Sequence, residues 1–287
     1  MRSTAGALRL AGSCRPNLSP RWRSRGEALL LLLILPGAAL VVWVAGVLFT
    51  TDLALPVCDV RRFKNVLVVF PHADDETLNC GGAIRRFSTA GATVTLLLLT
   101  SGERGNPLGA ADSALKAIRR REAEQVAGIL GVSRLIQEDF GDGQLRDRID
   151  DVTSYLSRAI AQIGPDLILT HDLAGLDGHR DHVACSEMLT GLRRTHFQDL
   201  SIWCVALPRR VLRLLKLVGQ LANDASVDER RAIPTHRLFI GTGVVPKIRS
   251  WYAYRSQRGS LGKGLGKFLP TWIALSMLQF EYFAESA

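Results

Sequence analysis

No Cys-x-x-Cys pair occurs in this chain, and its five cysteines, Cys14, Cys58, Cys80, Cys185 and Cys204, are scattered and odd in number. A disulfide framework and a cysteine zinc knuckle are thereby excluded. The Gly-x-Gly-x-x-Gly turn of a dinucleotide site is missing too. After the first apolar run, residues 66–70, the chain reads Pro-His-Ala-Asp-Asp-Glu, whose carboxylates would repel a pyrophosphate. There is no internal repeat. Nor is there a basic domain behind the net charge of +9: residues 1–27 hold six Arg against one Glu, which leaves +4 for the other 260 residues. Nucleic acid is therefore not an expected partner. With 287 residues, 47% hydrophobic and 22% charged, disorder and collagen-like structure are excluded, and there is chain enough for a core of its own.

What is present begins with residues 28–49, which carry no charge. As a helix this run is about 33 Å long and matches the ~30 Å hydrocarbon core of a bilayer. A buried core helix is the bland alternative, and Arg21, Arg23 and Arg25 beside so long a run weigh against it. A cleaved signal peptide would have a shorter apolar region ending in a small-x-small site, whereas this one ends Val47-Leu48-Phe49-Thr50-Thr51. The expectation is an uncleaved signal anchor with residues 51–287 on the non-cytoplasmic side, although Arg61, Arg62 and Lys64 blur the charge bias. The domain plan is a basic tail over 1–27, a transmembrane anchor over 28–49, a linker over 50–63 and a folded domain over 64–287.

Within that domain short apolar runs alternate with amphipathic stretches. Residues 66–70, 93–100, 166–170 and 201–206 read as strands, and 77–90, 112–130, 148–163 and 182–194 as helices. This predicts an α/β fold, a Rossmann-like, mostly parallel sheet with helices on both faces. Ligands of such sheets bind beyond the carboxyl ends of the strands, so chemistry belongs after Phe70, Thr100 and Thr170.

Directly after the first strand, His72, Asp74, Asp75 and Glu76 crowd one turn. Adjacent carboxylates repel, so a cation is their natural partner, and His with Asp suits zinc; the alternative is a solvated turn capping the next helix. After residue 170 the chain reads Thr-His-Asp-Leu-Ala-Gly-Leu-Asp-Gly-His-Arg-Asp-His, so four of six histidines sit at two strand ends. His179 and His182, three apart, can face one cavity from a helix's first turn. The two segments together supply a His-Asp-His set for a catalytic zinc with groups left over for acid–base work. His171, His196 and His236 read as ordinary polar or half-buried histidines.

These two blocks make the chain resemble the LmbE-like, N-acetylglucosaminyl-phosphatidylinositol de-N-acetylase family of zinc-dependent deacetylases. The match runs from Lys64 to Gln257. It is supported by Thr100-Ser101-Gly102-Glu103-Arg104-Gly105, Arg119-x-x-Glu122, Leu130-Gly131, Asp142-Gly143 and Arg255-Ser256-Gln257. Ala73 stands where the family usually has proline, which removes a turn stiffener and no chemical group. The resemblance implies that His72, Asp75 and His182 bind Zn2+, or another divalent metal such as Fe2+. It also implies Asp74 as general base and His179 as the acid or oxyanion stabiliser. Glu103, Arg119 and Asp142 are similar to the family's substrate-pocket positions, with Arg119 equally readable as a surface ion pair to Glu122. The implied activity is removal of acetyl from an N-acetylglucosamine-type sugar, with the anchor pointing to a lipid-linked or cell-envelope substrate. Hydrolysis of another N-acylated small molecule, and a catalytically silent membrane-tethered glycan-binding domain, are the rival readings.

Two further stretches bear on membranes. Residues 208–218 form a basic amphipathic helix that is either interfacial or packed on the domain. The aromatic tail after Gly266 reads as a terminal core element, because Gln279 and Glu281 argue against spanning.

Overall fold

Residues 66–70 carry no polar side chain because both faces of their strand are covered. The computed structural model describes residues 20–105, 112–221, 223–257 and 269–286, with 20–33 and 112 described by backbone alone. Strand β1, Asn65–Phe70, runs through the middle of a seven-stranded sheet in the order β3-β2-β1-β4-β5-β7-β6. The others are β2 Thr93–Leu98, β3 Arg134–Gln137, β4 Leu167–Thr170, β5 Ser201–Ala206, β6 His236–Phe239 and β7 Phe280–Glu285. Alternation splits β1: Val66, Val68 and Phe70 enter one apolar cluster, Leu67 and Val69 the other. The first cluster takes Phe87 from α2, Asp75–Thr89, and Val126 from α3, Asp112–Leu130. The second takes Leu156 from α4, Ile149–Ile163, and Leu189 from α6, Arg180–Thr195. Between them lies the short α5, Gly175–Gly178.

The expected parallel sheet is the larger part of a mixed one. β3, β2, β1, β4 and β5 are parallel, but β7 pairs antiparallel with β5 and with β6. β2 ends at Leu98, two residues short of the run 93–100, although Leu99 and Thr100 still donate to the carbonyls of Phe70 and Pro71 at 3.1 and 2.9 Å. The aromatic tail enters the core as read: Phe283 is fully buried in β7, preceded by a helix over Thr271–Ser276. Phe268 lies outside the described residues. Residues 209–217 form α7, which packs Val211 inward and leaves Arg209, Arg213 and Leu217 exposed. Among the described residues two more helices follow, α8 at Ala225–Glu229 and α9 at Val244–Ala253, so the Thr271–Ser276 helix is α10.

Helix α2 is bent at Cys80 (φ −146°, ψ 22°), which frees the amides of the turn beyond it. Glu281 of β7 accepts the N–H groups of Gly82 and Ala83 at 2.9 and 2.6 Å, and Lys247 of α9 neutralises it at 2.6 Å. The pair is about 1–3% exposed, so removing either partner should cost about 3–5 kcal/mol.

The chain divides into two compact units, Met1–Val44 and Ala45–Ala287. The expected span 28–49 falls inside one helix, α1, Pro20–Thr50. From Ile34 to Val44 its described apolar side chains are mostly exposed, Leu35 and Val41 by 63% and 68%. Among the described residues no helix is long and apolar enough to cross a membrane. Residues 1–19 of the basic tail lie outside the described residues.

Candidate metal centre

Strand order reverses between β1 and β4: the chain moves from β1 to β2 and β3 on one side and to β4 and β5 on the other. The segments leaving those two strands therefore diverge and open a crevice at the carboxyl edge. His72, Asp74 and Asp75 follow β1, and His171 to His182 follow β4, so both sequence blocks meet there.

His72 Nδ1, Asp75 Oδ2 and His182 Nε2 form a near-equilateral triangle with sides of 3.2, 3.3 and 3.4 Å. Zinc–ligand bonds of about 2.0–2.2 Å in a tetrahedron require ligand–ligand edges of about 3.3–3.6 Å. The donor set fits a divalent metal. Each imidazole is also set in the right tautomer by its other nitrogen. His182 Nδ1 donates to the Gly175 carbonyl at 3.0 Å, with Asp177 at 3.4 Å. That carbonyl is available because Gly175 adopts φ +60° against His182 and Val183, where a side chain would collide. His72 Nε2 faces Asp142 at 3.1 Å and Asp181 at 3.3 Å. Asp181 in turn accepts the N–H groups of Gly143 and Leu145 at 2.6 and 3.2 Å.

Without a metal, protons occupy this triangle. Burial disfavours a charged His72, but Asp142, Asp181 and Asp75 raise its pKa well above the usual value. Burial likewise opposes charge on His182, yet Asp75 and Asp177 lift it to about 10. Burial opposes ionisation of Asp75, and His182, His171 and His72 hold its carboxyl well below the usual range. Metal binding must displace these protons, because only neutral imidazoles coordinate. Proton release is expected as the ion binds, its number set by how many of the two imidazoles are charged beforehand, and affinity should fall as pH falls. Calorimetry in two buffers of different ionisation enthalpy reads that number; no proton release would exclude His72 and His182 as ligands.

Asp74 is placed for a different task. Its backbone is left-handed, φ +109°, unusual for a residue with a side chain and costing on the order of 1–3 kcal/mol. Glu76 holds it there by accepting the Asp74 N–H at 3.1 Å, while its other oxygen accepts hydroxyl hydrogens from Thr77 at 2.7 Å and Tyr254 at 2.8 Å. Burial and the neighbouring Asp75 push the Asp74 carboxyl up to about 7. His179 caps α6, its Nδ1 accepting the Asp181 N–H at 3.3 Å, with its ring 4.9 Å from that of His72 and 4.7 Å from that of His182. Desolvation and the charges on His182 and His72 lower its pKa.

Arg119 is neither surface-exposed nor paired with Glu122. It is 4% exposed and donates to the carbonyls of Gly102 and Ala73, the latter at 3.0 Å. Gly102, at φ +64°, leaves room for the guanidinium, which ties down the Ala73 carbonyl. Glu122 accepts instead from the Ser256 N–H and hydroxyl at 2.9 and 2.6 Å. Glu103 accepts the Asp142 N–H at 3.1 Å, and Asp142 accepts the Arg104 N–H at 3.0 Å. All three candidate pocket residues thus border the centre while holding its walls.

Sequence reasoning gave no role to Asp181, Glu76 or Tyr254, and it misread His171. The last is 1% exposed, stacks on His182 at 4.1 Å and lies 3.7 Å from Asp75, with neither ring nitrogen hydrogen-bonded among the described residues. Burial and His182 lower its pKa to about 4, so it is neutral. Its place at a strand's carboxyl end was the available signal. His196 and His236 stay apart from the centre, bonding Thr195 and packing on Trp203.

Residues 67–192 match the family model described as GlcNAc-PI de-N-acetylase, PIG-L. The 1D-myo-inositol 2-acetamido-2-deoxy-alpha-D-glucopyranoside deacetylase of Rhodococcus erythropolis is 32% identical over 155 residues, 44% of this chain and 52% of the relative. The diacetylchitobiose deacetylase of Thermococcus kodakarensis is 36% identical over 121 residues, 42% of this chain and 45% of the relative. The chain thus spans about half the length of these curated relatives. The solved N,N'-diacetylchitobiose deacetylase from Pyrococcus horikoshii shares the fold, with a TM-score of 0.57 and 22% identity over 83% of this chain and 88% of that one.

Proposed function

We propose that this chain, whose residues 67–192 form a domain of the PIG-L, or LmbE-like, deacetylase family, hydrolyses the acetamide of an N-acetylglucosamine-type sugar at a divalent metal held by His72, Asp75 and His182. The observation that carries this reading is the ligand triangle with Asp74 beside it, a carboxylate that a structural metal site does not need. The names of the relatives support the sugar. When bound, the metal supplies Lewis acidity, which acidifies water and polarises the amide carbonyl. Asp74 accepts the proton of the attacking water. His179 stabilises the developing oxyanion and returns a proton to the departing amine. Arg119 and Glu76 keep the Asp74 turn in place. Zinc is the first candidate for the metal, and Fe2+ the second.

The same reading places the chain on a membrane through residues 28–49, with the catalytic domain on the non-cytoplasmic side and a lipid-linked or envelope sugar as substrate. The uncharged run and its arginine flank support this. The test is acetate release by the full-length protein from N-acetylglucosamine conjugates and from other N-acyl compounds, with chelator and after metal is restored. Release from the sugar conjugates, abolished by chelator and recovered with metal, is the expected result. Metal binding without release from any substrate would favour the silent glycan-binding reading.

The pH profile should be a low bell. Turnover needs Asp74 ionised, with its carboxyl pushed up to about 7, and His179 protonated, with its imidazole lowered from 6.5, so the productive pair is a minority at every pH and the limbs follow the lower and the higher of the two pKa values. His179→Ala should flatten the alkaline limb and move the acid limb up to that of the Asp74 carboxyl. Rate against pH for the two proteins checks this; an unchanged alkaline limb assigns it to another group.

A further inference from the structure

Resting on the membrane-anchored reading above, we infer that the sheet edge carrying the metal centre is also the face of the catalytic domain that lies against an anionic lipid surface. The juxtaposition that says so is where the apolar helix joins the domain. The last turn of α1, within the catalytic unit, is fastened at three points, one of them the Tyr282 hydroxyl donating to the Thr50 carbonyl at 2.8 Å. Thr50 Oγ1 donates to the Met277 carbonyl at 2.9 Å, and Arg210 donates to the Thr51 carbonyl with its guanidinium over the Phe49 ring. Met277 lies three residues before β7, which runs antiparallel and so begins at the edge where the parallel strands end. Arg210 lies in the first turn of α7, just past the end of β5 at that same edge. His72 and Asp75 leave β1 there too. Three strand spacings, about 14 Å, separate β1 from β7 along it.

The surface around this junction has the composition of an interfacial face. Leu48, Phe49 and Leu53 are 60%, 41% and 71% exposed at the foot of α1. Phe239 at the end of β6, Val245 at the start of α9 and Trp272 on α10 are 47%, 56% and 52% exposed. All belong to segments that begin or end at the carboxyl edge. Arg209 and Arg213 of α7 are exposed beside them, which complements anionic headgroups rather than a neutral partner. The run 28–49 ends at Phe49, within the catalytic unit and at this face, so a bilayer holding the run has its surface beside that residue. The site then works on head groups lying close to the bilayer plane.

The experiment uses the full-length protein reconstituted into phosphatidylcholine–phosphatidylserine vesicles. Its substrates are an N-acetylglucosaminyl diacylglycerol in the vesicles and methyl N-acetylglucosaminide in solution. L53E/W272E is expected to lower turnover of the vesicle substrate at least ten-fold and leave the soluble one unchanged. R209Q/R213Q should remove the salt-sensitive part of the vesicle rate. Undiminished vesicle turnover in L53E/W272E, or equal losses on both substrates, would overturn the inference. A second readout is independent of activity. In a W22F/W43F background the remaining Trp203 and Trp251 are each 2% exposed, so brominated lipids should quench Trp272 alone, and adding W272F should abolish the quenching. Quenching unchanged by W272F, or a protein that does not associate with vesicles, would also overturn it. Failure of wild-type protein to release acetate from either sugar would refute the deacetylase reading while the quenching still decides the docking face.

Discussion

Replacing His182 with alanine should remove nearly all bound metal and nearly all turnover. The side chain supplies one corner of the triangle, and the neighbouring imidazoles, His171 and His179, stand outside that triangle. His171, stacked on it, is a buried neutral ring whose nearest approach to Asp75 is 3.7 Å. Losing a hydrogen-bonded partner of a metal ligand typically costs 10–100-fold in affinity or activity, and losing the ligand itself should exceed that. Asp181→Asn, which weakens the support of His72 without removing a ligand, provides the scale. Metal content by elemental analysis and acetate release should fall together in His182→Ala, and metal should fall less in Asp181→Asn. A thermal melt separates loss of metal from loss of fold, since His182 sits in the first turn of a long, well-buried helix. A full equivalent of metal retained by folded His182→Ala would refute the ligand assignment.

Asp74→Asn should do something different: keep the metal and lose rate, by ~10²–10⁴-fold, the range for a general base. The amide has the shape of the carboxylate, and asparagine tolerates positive φ, so the turn at φ +109° is preserved. The substitution also removes a buried carboxylate that repels Asp75. Stability should therefore hold or rise as activity collapses. Asp75→Asn should show the opposite order, with metal affinity lost first. The comparison needs metal stoichiometry and kcat on both variants. Equal metal loss in the two would mean that the adjacent aspartates share the ion.

The candidate centre was more legible in the sequence than the sheet around it. His72, Asp74, Asp75, His179 and His182 crowd into two short blocks, each directly after a run of apolar residues, and the strand-end rule brings such blocks together. The burial of β1 on both faces could be read from its unbroken apolar run. β3 could not, because Arg134–Gln137 is a four-residue edge strand with no fully buried side chain. The antiparallel place of β7 was invisible because a terminal strand with no turn before it has no local signal for its partner. Asp181 and Glu76 are polar residues inside recognised motifs, and their roles depend on rotamers meeting partners far along the chain. Tyr254 reaches Glu76 across 178 positions, a contact no periodicity records.

The interleaving of β7 between β5 and β6 has a consequence for where this molecule can be cut. The segment that the family model matches ends at residue 192 and contains every candidate ligand and proton-transfer group. Yet Tyr254 steadies Glu76, Ser256 engages Glu122, and Glu281 satisfies the bent helix, all from beyond that boundary. A fragment ending there would also lose β5 and leave β4 as an uncovered strand with its backbone groups exposed, a template for self-association. The unit that heredity makes recognisable is thus smaller than the unit that must be inherited whole.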